Sequence, residues 1–132
     1  EIEHAVVSAY KHEEPDVIVI EGQGSLMNPA YPGGFEILAA GRPDFVILQH
    51  APMRKEYDGF PGYKLHSLKK QIQAIETISG VKVMAITINH EGMKTEEILP
   101  ACKAITELTG LPAFDVLAHG ADKLVKLIDA KL

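Results

Sequence analysis

Two uninterrupted runs of aliphatic and β-branched residues, Val17-Ile18-Val19-Ile20 and Phe45-Val46-Ile47-Leu48, constrain this chain more than any other feature. A third, from Val81 to Ile88, is broken only by Lys82 and Thr87. Continuous apolar runs, as opposed to alternating ones, belong to strands buried on both faces of a parallel sheet. The segments between them have helical spacing. Ile2, Val6, Ala9 and Tyr10 mark a first helix over residues 1–12, ended by Pro15. A short helix is expected over 34–40 with Gly41 as its C-cap. A longer one over 64–79 has an apolar stripe of Leu65, Leu68, Ile72, Ile75 and Ile78, with Gly80 as its cap. Another begins at Thr95-Glu96-Glu97, meets Pro100 one turn in, where it is expected to kink or restart, and closes at Gly110. A short strand over 113–117 and a helix over 122–131 complete the order α-β-α-β-α-β-α-β-α. That order predicts an α/β fold, a parallel sheet with helices on both faces in three α/β/α layers.

Such sheets bind ligands beyond the carboxyl ends of their strands, so the residues following each run carry the functional argument. The first run delivers Glu21-Gly22-Gln23-Gly24-Ser25, the second Gln49, His50 and Arg54, the third Asn89, His90 and Glu91, and the fourth His119 and Gly120. An acid at the tip of an apolar strand is the pattern of a Walker B carboxylate, which helps hold the Mg²⁺ of a bound nucleotide. Glu21 is therefore a candidate for catalysis or for Mg²⁺, and capping of the next turn is the structural alternative. Gly22 and Gly24 let backbone approach a ligand; Ser25 offers a hydroxyl to phosphate, or simply makes the turn. Arg54 suits an anionic substrate, because guanidinium reads carboxylate or phosphate bidentately, although an exposed loop arginine needs no such role. His50 titrates near working pH and is a candidate general base, or a polar surface group. Asn89 has both a donor and an acceptor for a base or an amide.

Composition excludes several classes. Hydrophobic residues make up 46% and charged residues 23% of the 132, which is ordinary for one globular domain. A net charge of -5 without basic blocks argues against nucleic acid, and no apolar stretch nears the roughly 20 residues a membrane span needs. The single cysteine, Cys102, allows no internal disulfide, suits a reducing cytoplasm and falls on the buried side of its helix. No Cys/His spacing marks a structural zinc site. Neither a Gly-x-x-x-x-Gly-Lys-Ser/Thr loop nor a Gly-x-Ser-x-Gly elbow occurs. The opening Glu1-Ile2-Glu3-His4-Ala5 reads as mid-helix, so the sequence is expected to be an excerpt whose phosphate-binding strand, if it has one, lies upstream. A small-molecule substrate and a homo-oligomer are the expected partners.

The run Ile20-Glu21-Gly22-Gln23-Gly24-Ser25-Leu26, the following Pro29-Ala30-Tyr31, the Arg42-Pro43-Asp44 lead into the second run and the His50-x-Pro52-x-Arg54 tip together resemble one family. It is the C-terminal P-loop domain of the D-glutamate N-acetyltransferase-like proteins, long catalogued as a domain of unknown function. The resemblance covers about residues 16–89. It implies a P-loop NTPase-like fold related to dethiobiotin synthetase, preceded by a Rossmann-like N-terminal domain and a P-loop strand, both outside these residues. It also implies N-acylation of D-glutamate from acetyl-CoA, with ATP and Mg²⁺ as the alternative cofactors of a dethiobiotin synthetase-type ligase or kinase. A non-catalytic nucleotide-binding domain is the third reading. Glu21 maps onto the family's strand-tip acid, His50 and Arg54 onto its second-tip loop, and Tyr31 onto the Pro-Ala-Tyr segment expected at the substrate. Gln23 joins Gly22, Gly24, Ser25 and Asn89 as expected cofactor contacts. Pro32-Gly33-Gly34-Phe35 and the 53–63 loop depart from the family's pattern.

Overall fold

The computed structural model describes residues 1–22 and 25–132; the expected contacts Gln23 and Gly24 lie outside the described residues. In chain order the elements are α1 (Ile2–Glu13), α2 (Gly33–Gly41), β1 (Val46–His50), α3 (Leu68–Ser79), β2 (Val83–Ile88), α4 (Thr95–Thr109), β3 (Ala113–Phe114), α5 (Val116–His119) and α6 (Asp122–Asp129). The three strands form one parallel sheet in the order β1-β2-β3, with Leu48 opposite Ile86, His50 opposite Ile88 and Thr87 opposite Phe114. This is the expected α/β architecture, with α3 and α4 as the crossovers that parallel strands require.

The core gathers where these crossovers meet the sheet. Leu48, Val83, Ile86 and Ile88 from the strands pack with Leu68 and Ile75 of α3 and with Ile98, Cys102 and Ile105 of α4. Each such aliphatic side chain withdrawn from water contributes about 1.5–3 kcal/mol, so the β1-α3-β2-α4 unit is the rigid part of the molecule. Cys102 sits in this core, as its helical position predicted. Gly80 and Gly110 adopt φ of 75° and 74° and close α3 and α4 by donating to Glu76 and Thr106. α4 runs on through Pro100 as a single element.

Four further expectations require correction. Residues 17–20 form no strand and pair with none among the described residues, and their side chains are open, Val19 being 87% exposed. A continuous apolar run becomes a buried strand only when strands occupy its edges, and among the described residues none does. Gly41 is the last residue of α2 and not its cap; Arg42 takes the left-handed conformation instead, at φ 46°. A side chain at Gly41 would come to 3.0 Å from Ile20 Cδ1, so that glycine serves close approach. α3 starts at Leu68, four residues later than expected, because Ser67 caps it by accepting from Lys70 N at 3.3 Å while Lys64 pairs back with Glu56. The last strand stops at Phe114, where Asp115 caps α5 by accepting from Ala118 N at 2.9 Å.

The 53–63 loop is an ordered excursion with its own ties. Tyr57 N donates to Tyr63 O and Leu65 N to Lys55 O, both at 2.9 Å. The Tyr57 ring is buried and its hydroxyl meets His66 Nδ1 at 2.6 Å. Buried Asn28 donates from Nδ2 to Asp58 O at 3.2 Å and accepts from Ala30 N at 2.9 Å, which fastens the loop carrying Ser25 and Tyr31 to this excursion.

Candidate functional site

Parallel strands deliver their carboxyl ends to one edge, and at that edge lies a cavity of about 660 Å³. Its apolar lining includes Ile20, Ile37, Val46, Leu48 and Ile75. Its polar lining includes Glu21, Gly22, Ser25 and Tyr31 from the first tip and its loop, Gln49, His50 and Arg54 from the end of β1, and Asn89 from the end of β2. All the expected site residues that are described therefore meet at one cavity. The outer edge of β1, unpaired among the described residues, runs along it, since Val46, Ile47, Leu48 and Gln49 all contribute.

The two central tips are held in register one residue past the ladder, where Asn89 N donates to His50 O at 2.8 Å. Asn89 Oδ1 then accepts from Glu91 N at 3.0 Å, an Asx turn that reverses the chain. His50 is half-buried, and burial first, then the positive Lys55, holds its imidazole below the usual histidine range. A neutral ring at physiological pH has a lone pair available for a proton. Arg54 is already engaged, with Nε and Nη2 donating to Glu91 Oε2 at 3.0 and 2.7 Å. A smaller hollow of about 290 Å³ lies on the other side of this pair, against Tyr57 and Phe60.

The remaining expected tips go elsewhere. His119 belongs to α5 and Gly120 ends it. His90 turns to Asp115, with Nδ1 2.7 Å from Oδ2 of a carboxylate that is fully enclosed. Asp115 was not legible as a site residue from its position in an expected strand. The signal was present in Asp115-Val116-Leu117-Ala118, an N-cap residue before a helical turn. Burial raises the Asp115 pKa, but the Ala118 amide, His90 and the Leu117 amide outweigh it and hold the carboxyl below its ordinary range. Among the described residues no group of three or more His, Cys, Asp or Glu could hold a metal ion, and no helix is long and apolar enough to cross a membrane.

Comparison with known proteins places this geometry. A family profile described as "Domain of unknown function (DUF1611_C) P-loop domain" matches residues 1–125. A protein of Tritonibacter scottomollicae named D-glutamate N-acetyltransferase is 33% identical over 118 residues, covering 85% of this chain and 35% of the relative. A Pseudoalteromonas protein of the same name is 30% identical over 119 residues, covering 86% and 36%. The chain thus spans about a third of the length of these relatives. A crystal structure of a DUF1611 family protein from Anabaena variabilis superposes with a TM-score of 0.88 at 26% identity, covering 98% of this chain and 39% of that one. The chain belongs to the DUF1611 family, and the part of that family it represents is the P-loop domain.

Proposed function

We propose that the cavity serves N-acylation of a small acidic amino acid by acetyl-CoA, D-glutamate being the type substrate. One observation carries this reading. An imidazole held neutral by burial (His50), a guanidinium (Arg54) and a carboxylate (Glu21) line the same cavity at the end of a rigid parallel sheet. The two relatives named D-glutamate N-acetyltransferase support it. Arg54 binds a substrate carboxylate in place of Glu91, and His50 accepts a proton from the amine. Acetyl-CoA, when bound, supplies the acyl group as an activated thioester. The nitrogen–carbon bond forms as the carbon–sulfur bond breaks, and coenzyme A leaves as the thiol. Thiol release by the intact protein with acetyl-CoA and D-glutamate is the test; no release with any acidic amino acid sinks the reading.

The phosphate-binding strand of this P-loop domain is contributed from outside residues 1–132, together with a Rossmann-like N-terminal domain. No Gly-x-x-x-x-Gly-Lys-Ser/Thr occurs in this chain. The edge of β1 that is unpaired among the described residues and the exposed run 17–20 are what a strand seated between them would satisfy. Amide exchange at residues 17–20 is accordingly expected to be slow in the intact protein, and fast exchange there counts against the inserted strand.

A second reading is a nucleotide-dependent ligase or kinase, favoured by the strand-tip acid beside the Ser25 hydroxyl and the Asn89 amide. A single carboxylate fits Mg²⁺, which takes most of its ligands from phosphates and water; Glu21 would hold it, and the ion would neutralise phosphate charge. Mg²⁺-dependent nucleotide turnover abolished by Glu21→Gln, without thiol release, selects this reading over the first.

A further inference from the structure

The pair His90–Asp115 lies beyond the cavity lining and is built like a proton-accepting dyad. The Asp115 side chain is wholly enclosed, with Oδ1 taken by Ala118 N at 2.9 Å and Oδ2 facing His90 Nδ1 at 2.7 Å. A carboxylate there requires the imidazole proton on Nδ1, which leaves the lone pair of the neutral ring on Nε2. Nε2 has no protein partner among the described residues, and 36% of the His90 side chain is open to solvent. A helix cap alone needs only Asp115 and a backbone amide; it does not call for a ring with one nitrogen presented to water.

Position adds to this. His90 directly follows Asn89, whose side chain lines the cavity, and Asp115 directly follows β3. Neighbouring strands lie about 4.8 Å apart, so the dyad sits roughly one strand spacing along the ligand-bearing edge from the cavity wall. A bound molecule reaching across the tips of β1 and β2 ends beside it.

We infer that His90 is a second proton acceptor at this edge and that Asp115 is its positioning residue, a role that rests on the acyl-transfer reading. The chemistry of that reaction calls for two proton-handling groups. An amino acid reaches the site as an ammonium and leaves as an amide, so its nitrogen sheds two protons. The first must leave before the lone pair can attack the thioester carbon. The second leaves as the nitrogen–carbon bond forms and the carbon–sulfur bond breaks, and it balances the departing thiolate to give the free thiol. His90, open to water, takes the first proton and passes it to solvent. The more enclosed His50 takes the second and returns it to sulfur.

The test uses the intact protein, acetyl-CoA and D-glutamate, with thiol release as the readout. His90→Ala is expected to lower kcat by about 10²-fold or more while the KM for acetyl-CoA stays within about threefold. Added imidazole is expected to restore at least about tenfold of the lost rate, which a purely structural histidine would not allow. Asp115→Asn, which keeps the cap acceptor, is expected to lower kcat by about 10-fold or more. If His90→Ala does not fold, His90→Gln is judged by the same fall in kcat at unchanged KM. Thiol release in the wild type that His90→Ala or His90→Gln leaves within about threefold overturns this inference alone, as does a loss in folded His90→Ala that imidazole does not restore. No thiol release in the wild type fails the acyl-transfer reading itself, and this role with it.

Discussion

Arg54 places two of its nitrogens on one oxygen of Glu91, at 3.0 and 2.7 Å, across 37 residues of sequence. The pair ties the loop after β1 to the turn after β2, directly over the strand tips. Both side chains are well exposed, 42% and 58%, so water screens the attraction and its worth to stability is at most about 1 kcal/mol. Its interest is functional, because an internal carboxylate already occupies the group proposed to bind a substrate carboxylate. Glu91→Gln is therefore expected to leave the thermal midpoint nearly unchanged and to lower the KM for an acidic substrate several-fold. Arg54→Lys, which loses the bidentate fork, is expected to raise it by about tenfold or more.

His50 should make the protein less stable in mild acid. Its folded pKa lies below the ordinary value, so the unfolded chain takes up the proton more readily. The stabilising contribution is full above the unfolded pKa of about 6.5 and is lost as pH falls below it. Thermal midpoints measured from pH 8 to pH 5 are expected to fall less steeply in His50→Gln than in the wild type.

Asp115 acts in a lower window. Its folded pKa is held below the ordinary carboxylate value, so its contribution is present above about pH 4 and disappears as pH falls through the folded value. Asp115→Ala removes a helix cap and a partner of His90 together and is expected to cost about 2–4 kcal/mol at pH 7 by denaturant titration. As pH falls through that folded value the gap between the variant and the wild type should shrink.

Arg42 carries a left-handed conformation that a side chain resists. Its ion pair with Glu3 is 3.5 Å long and largely exposed, so little is lost with it. Arg42→Gly is expected to raise stability by about 0.5–1 kcal/mol. A fall in the denaturant midpoint would mean that the guanidinium matters more than the backbone.

Asn28 ties two loops through one amide. Asn28→Ala breaks its bonds to Asp58 O and Ala30 N and is expected to cost about 1–3 kcal/mol. Faster amide exchange around Ala30 and Tyr31, with the sheet unaffected, is the accompanying sign.

What could be read from the sequence follows from the range over which each feature is determined. The runs that became β1 and β2 and the glycine stops Gly80 and Gly110 are decided within a few residues, and periodicity finds them. Convergence of His50, Arg54 and Asn89 on one cavity follows from strand direction in a parallel sheet, and so was legible as well; Glu21 lines the same cavity without a strand behind it. Residues 17–20 were not legible, because a strand exists only with its neighbours and local composition does not supply them. Pairings such as His90 with Asp115, 25 residues apart, depend on which tips become adjacent, and no spacing rule encodes that. The exchange of roles between Gly41 and Arg42 turned on the nearness of Ile20 Cδ1, a tertiary contact.

The Asx turn after β2 fixes more than the path of the chain. With Oδ1 of Asn89 bound to the Glu91 amide, the side-chain amide cannot flip without losing that bond. The Nδ2 donor of Asn89 is thus fixed in direction, while Oδ1 keeps one lone pair beyond the Glu91 bond. A ligand atom lying against Nδ2 must bring a lone pair, such as a carbonyl oxygen or an unprotonated ring nitrogen. The turn sets the orientation of that donor at the cavity wall before any ligand arrives.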